Sequence, residues 1–75
     1  MKTIQVGDYV VKELLLGEMR ALQKQFGSED IQYHIAGLTI LKDGVPIGDE
    51  GVNQLPMSLA NQLLTAVADV NMGKD

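Results

Sequence analysis

Apolar positions fall into four blocks along the chain, and the blocks do not share one period. From Lys2 to Glu13 the residues alternate, as a strand with one buried face requires. Gly7-Asp8 interrupts this block with a two-residue loop whose first position suits a glycine at positive φ. Folded about that loop, Val6 faces Tyr9, Ile4 faces Val11 and Lys2 faces Glu13. Four apolar side chains and one oppositely charged pair then share a single face. The pattern predicts an N-terminal β-hairpin over about 2–13.

Three helical blocks follow. Leu15, Met19, Leu22 and Phe26 make one narrow stripe, with Arg20, Gln23, Lys24 and Gln25 on the solvent side; this predicts a helix over about 15–26, stopped by Gly27. Ser28-Glu29-Asp30 supplies a cap and two acids for a second helix over about 29–41. That helix is apolar on two sides, with Ile31, Ile35 and Leu38 on one and Tyr33, Ala36, Gly37 and Ile40 on the other. Such a helix is either central in its domain or shared between two molecules. The small pair Ala36-Gly37 would let another helix come close, so the stripe of Tyr33, Ala36, Gly37 and Ile40 is a candidate surface for a second copy or a client. Lys42 to Asn53 reads as a loop with turn signals at Asp43-Gly44, Pro46, Gly48-Asp49 and Gly51, and a short strand near 45–47 is compatible with it.

The last block predicts a helix over about 57–70, opened by Pro56 and capped by Ser58. Leu59, Leu63, Ala66, Val67 and Val70 form its apolar side, widened by Ala60 and Leu64. Its other face, Ser58, Asn61, Gln62, Thr65 and Asp69, is nearly uncharged, where a solvated helix more often carries Lys and Glu. Asn61, Gln62 and Thr65 are therefore further candidate contacts. Residues 71–75 are expected to fray. The sum is an α+β fold in a single domain, 1–75: the hairpin packed on three helices.

Composition narrows the function more than the fold. A chain of 75 residues, 45% of them hydrophobic, builds only a small core, so a homo-oligomer or a bound partner would help it. There is no cysteine, hence no disulfide or thiolate chemistry. A net charge of −4 argues against nucleic acid as a partner. No apolar run reaches the roughly 20 residues that span a bilayer, and no apolar signal region follows Met1, so neither a membrane nor secretion is expected and the protein reads as cytoplasmic.

Candidate chemistry is sparse. His34, the only histidine, rides a helix beside apolar neighbours with no nucleophile placed near it, and reads as a packed or rim residue. Glu29-Asp30 is explained by a helix start without a metal. Asp43, Asp49 and Glu50 lack the alternating oxygen ligands of a calcium loop, and the glycines around them show no phosphate-cradling pattern. Ser58-Leu59 opens a helix as the modified serine of acyl carrier proteins does, but Met57 stands where those carry Asp and the serine comes late in the chain. No catalytic residues, cofactor or metal are expected, and the chain reads as a binding protein, not an enzyme.

The order of certain pieces is familiar. A hairpin leads into Glu13-Leu14-Leu15-Leu16-Gly17-Glu18-Met19-Arg20-Ala21-Leu22, followed by Ile35-Ala36-Gly37-Leu38-Thr39 and by Leu55-Pro56 before Leu63-Leu64. This ordered set resembles the tail assembly chaperones of long-tailed bacteriophages and prophages. The resemblance implies binding to the helical, hydrophobic tape measure protein, help in recruiting tail tube protein, and absence from the finished virion. It also implies a longer form made by ribosomal frameshifting, for which a slippery purine run encoding Gly73-Lys74 would serve. Met19, Met57 and Met72 would suit an adaptable contact surface. The alternatives are a small structural head or tail component and a regulatory protein directed at a host factor.

Overall fold

A computed structural model describes residues 2–72. The hairpin forms in the expected register: β1 (Thr3–Val6) pairs antiparallel with β2 (Tyr9–Lys12), Val6 opposite Tyr9 and Ile4 opposite Val11. Gly7 takes φ +58° in the loop, a value glycine adopts without steric cost. The Glu13 N–H donates to the Lys2 carbonyl at 3.1 Å, and the Lys2 N–H to Glu13 Oε1 at 3.1 Å, closing the open end. Val11 is fully buried and Ile4, Val6 and Tyr9 pack around the core, as alternation demands.

α1 (Leu16–Phe26) starts where the Leu15 N–H donates to Glu18 Oε1 at 3.0 Å. It ends at Gly27, which sits at φ +73° and donates its N–H to the Gln23 carbonyl at 2.8 Å. α2 (Ile31–Thr39) is shorter at both ends than the helix expected over 29–41. Asp30 occupies the position before it in a left-handed conformation, φ +58°, without a side-chain cap. At its far end Ile40 is not helical at all: it opens β3 (Ile40–Lys42). β-Branched Ile40 pairs with Val11 and Leu41 with Val10, so a strand partner outcompetes one further helical turn.

The stretch 42–53 is likewise not a loop. Asp43 (φ +55°) and Gly44 (φ +82°) make a tight two-residue turn of the kind that matches strand twist, and it joins β3 to β4 (Val45–Pro46). The extended piece near 45–47 is thus present, as the fourth strand of one antiparallel sheet ordered β1-β2-β3-β4. A short α3 (Gly48–Asn53) follows. α4 (Met57–Met72) begins after Pro56, whose carbonyl accepts the Ala60 N–H at 2.8 Å, so Ser58 lies inside the first turn instead of capping it. The helix runs past Val70: Asn71 Oδ1 accepts the Leu14 N–H at 2.7 Å, and its Nδ2 donates to the Val67 carbonyl at 2.8 Å. The fraying expected from residue 71 therefore does not begin at 71 or 72; residues 73–75, with the Gly73-Lys74 pair, lie outside the described residues.

The fold is α+β, with helices covering one face of the sheet. α4 lies on β1 and β2, while α2 reaches β3 and β4 and holds α3 on its other side. Val11, Ala36, Ile40, Leu63, Ala66, Val67 and Val70 form the buried core between the layers. Thr39, the buried polar residue, spends its hydroxyl on the Ile35 carbonyl at 2.8 Å.

Candidate functional site

α1 has no buried residue although its sequence carries a helical stripe. Leu14, Leu15 and Leu16 are consecutive, so neither a strand nor a helix can turn all three inward. Leu15 stays 54% exposed and Leu16 74% exposed. Across from them, the last turns of α4 present Leu64, Val67, Ala68 and Met72, and Met72 is 74% exposed. Met19, Gln32 and Ile35 complete the walls of an open groove of about 490 Å³. Among the described residues no charged side chain lines it. Its two polar residues are Gln32 and Asn71, and Asn71 already uses its amide on Leu14 and Val67.

A smaller groove of about 290 Å³ lies on the other side of Leu64, between α2, α3 and the start of α4, with Tyr33, Leu55 and exposed Met57 on its walls. Leu64 belongs to both, so the seam between α2 and α4 carries one apolar track. Chemically the track can do one thing: bury aliphatic or aromatic side chains that another chain supplies, at about 25 cal/mol per Å² of apolar surface removed from water. Side chains spaced i, i+3, i+4 and i+7 on one face of a helix suit such a groove.

Most of the contact stripe expected on α2 lies elsewhere than at the surface. Ala36 and Ile40 are fully buried within this chain, and Gly37 is buried against α3. A Cβ at Gly37 would stand 2.7 Å from the Gly48 carbonyl carbon and 3.0 Å from the Asp49 nitrogen. The close approach expected of Ala36-Gly37 exists, but the element that comes close is the chain's own α3. Only Tyr33 keeps substantial exposure, 42%, at the mouth of the smaller groove. Asn61 lines that groove too, and Gln62 and Thr65 are exposed on α4, with the Thr65 hydroxyl donating to the Asn61 carbonyl at 2.8 Å. The apolar residues of the larger groove that lie outside the periodic stripes are Leu14, Leu16, Ala68 and Met72.

His34 sits at the rim, as expected. Its Nδ1 donates to Asp49 Oδ2 at 2.9 Å, and its ring stacks on Phe26 with centroids 3.7 Å apart and planes 10° from parallel. One side chain thus ties the end of α1 to α2 and α3. Among the described residues no three His, Cys, Asp or Glu side chains cluster as a metal site. His34→Ala is expected to remove about 1 kcal/mol of stability, since the partner carboxylate is exposed and the stack is half open. A thermal melt followed by circular dichroism should show the midpoint falling by roughly 5 °C.

Comparison with protein-family models, curated proteins and solved structures finds no significant match to this chain. No helix among the described residues is long and apolar enough to cross a membrane.

Proposed function

We propose that this chain is a non-catalytic tail assembly chaperone of a bacteriophage or prophage. It would hold apolar helical segments of the tape measure protein in the groove between the Leu14-Leu15-Leu16 segment and α4. The observation that carries the reading is the groove itself: open, uncharged, and edged by Leu15, Leu16 and Met72, which are exposed in the chain on its own. A long hydrophobic helix offers a row of apolar side chains and no specific polar group, and the groove asks for nothing else. The methionines Met19 and Met72 in its walls can repack around successive, non-identical segments of such a client. The ordered pieces that resemble the family include Leu14-Leu15-Leu16 and Leu63-Leu64, so the resemblance and the groove share residues. In this reading the protein works in the host cytoplasm, helps recruit the tail tube protein and leaves before the virion is complete.

The test is co-expression with the protein encoded just downstream, followed by size-exclusion chromatography with light scattering. A soluble complex is expected with a long helical protein that precipitates when made alone. Leu16→Glu, at a position 74% exposed, should leave the fold intact and weaken the complex by roughly 100-fold, the size of effect expected at an apolar anchor. A downstream protein that stays insoluble beside the wild-type chain overturns the proposal.

A further inference from the structure

The two edges of the sheet are built differently. β4 is two residues long and contains Pro46, both devices that discourage further pairing. β1 is four residues, Thr3-Ile4-Gln5-Val6, without charge, proline, glycine or bulge. The hairpin dictates what that edge displays. A two-residue loop makes Val6 and Tyr9 a pair that exchanges both hydrogen bonds, and therefore Ile4 with Val11 and Lys2 with Glu13. The observed bond from the Glu13 N–H to the Lys2 carbonyl agrees with this. The N–H and C=O groups of Thr3 and Gln5 then point away from β2, and among the described residues no strand pairs with β1 on that side.

The layer above the edge is also unusual. α4 lies on β1 and β2, and its flank toward α2 carries Leu64 and Ala68. The opposite flank, which overhangs the free edge, carries Ser58, Gln62, Thr65 and Asp69 at helical spacing. Three of these four are polar without charge, whereas exposed α1 bears Arg20 and Lys24 on its solvent side. A chain with net charge −4 thus keeps both β1 and most of the adjoining helix flank free of charge.

We infer that two copies of this chain pair through β1 about a two-fold axis at Ile4, with the α4 flanks meeting above the joined strands. Thr3 of one copy stands opposite Gln5 of the other, so the outward groups of both exchange four hydrogen bonds. The two Ile4 side chains meet on the core face, at the narrow spacing of a non-hydrogen-bonded pair. A second copy is the occupant that fits because the edge is its own complement in this register. Along the strand no like charges face each other, since Lys2 of one copy falls opposite Val6 of the other; Asp69 is the one charge on the helix flank. Strand pairing alone falls short of the roughly 800 Å² per partner of a durable interface, which is why the uncharged α4 flank is part of it.

Sedimentation velocity of the full chain over a concentration series tests this. A dimer is expected. Gln5→Pro deletes only an outward N–H, leaves the β1–β2 ladder whole, and should weaken the dimer about 30-fold, the effect of two ordinary backbone hydrogen bonds lost per dimer. Gln62→Glu with Thr65→Glu, outside the strand, sets like charges against each other across the axis and should also give monomers with an unchanged circular dichroism spectrum; it decides the matter if Gln5→Pro fails to fold. Leu16→Glu, in the groove, should leave the dimer intact. A wild-type monomer at every concentration, or a dimer that dissociates with Leu16→Glu and ignores the β1 and α4 variants, overturns the inference.

Discussion

Gly37→Val is expected to remove nearly all of the chain's stability, leaving folded and unfolded forms comparably populated at room temperature. The added Cβ would fall 2.7 Å from the Gly48 carbonyl carbon and 3.0 Å from the Asp49 nitrogen. Both are backbone atoms, so no side chain can swing aside. α3 cannot easily retreat either, because the Ile47 N–H just before it is held by the Ile40 carbonyl at 3.0 Å and Gly48 turns at φ +71°. Overpacking of this kind costs about 3 kcal/mol, and a domain of this size has little more than that to lose. Gly37→Ala meets the same clash with one carbon only. It also recovers about 1 kcal/mol of helix propensity, so a net loss near 2 kcal/mol is expected. Urea unfolding followed by circular dichroism ranks the two; a Gly37→Val chain as stable as the wild type would show that α2 and α3 do not pack as described.

Ile40→Asp is expected to be at least as damaging. Ile40 is fully exposed to nothing but the core, with a relative accessibility of 0%. A carboxylate there loses its hydration and finds no described partner, a penalty larger than the stability of a small domain. Ile40→Val, which removes one methylene, should cost only about 1 kcal/mol. Amide-proton dispersion in a two-dimensional NMR spectrum separates the outcomes: dispersed for Val, collapsed for Asp. If Ile40 lay on an exposed contact stripe of a helix, Asp would fold normally and alter association alone.

The contrast between these two residues and the hairpin shows where the sequence is readable. In residues 2–13 the alternation, the glycine turn and the Lys2–Glu13 pair all demand one register, and that register is found. The apolar side of α4 is equally plain, since Leu63, Ala66, Val67 and Val70 repeat at helical spacing and are buried. Ile40 was hidden because it continues the helical phase of Ala36 without a break. What moves it into a strand is Val11, far back in the chain, and periodicity is blind to partners at that distance. Asp43-Gly44 is a local hairpin signal, legible only if Ile40 to Lys42 is already taken as a strand. α3 contains Gly48 and Gly51, poor helix formers, and owes its existence to packing on Gly37. The candidate contact residues are obscured in the same way: Ala36 and Gly37 do form a second side of α2, but the chain itself covers them, and Ile40, expected on that side, belongs to β3 and the core. The groove was half legible, in the run Leu14-Leu15-Leu16 that no regular element can bury.

One junction has a mechanical meaning. Thr39 ends α2 and Ile40 begins β3, with no residue between them. A helix turns about 100° per residue and a strand reverses its side chain at each step. Were β3 to slide by one residue along β2, α2 would have to rotate with it. Gly37 would swing off α3, and Ile35 would leave the groove wall. Helix and strand are geared together, so slippage in the sheet is blocked by steric teeth a layer away. The same gearing would run in reverse: under the proposed function, a client pressing on Ile35 would load the joint between Ile40 and Val11, coupling occupancy of the groove to order in the sheet.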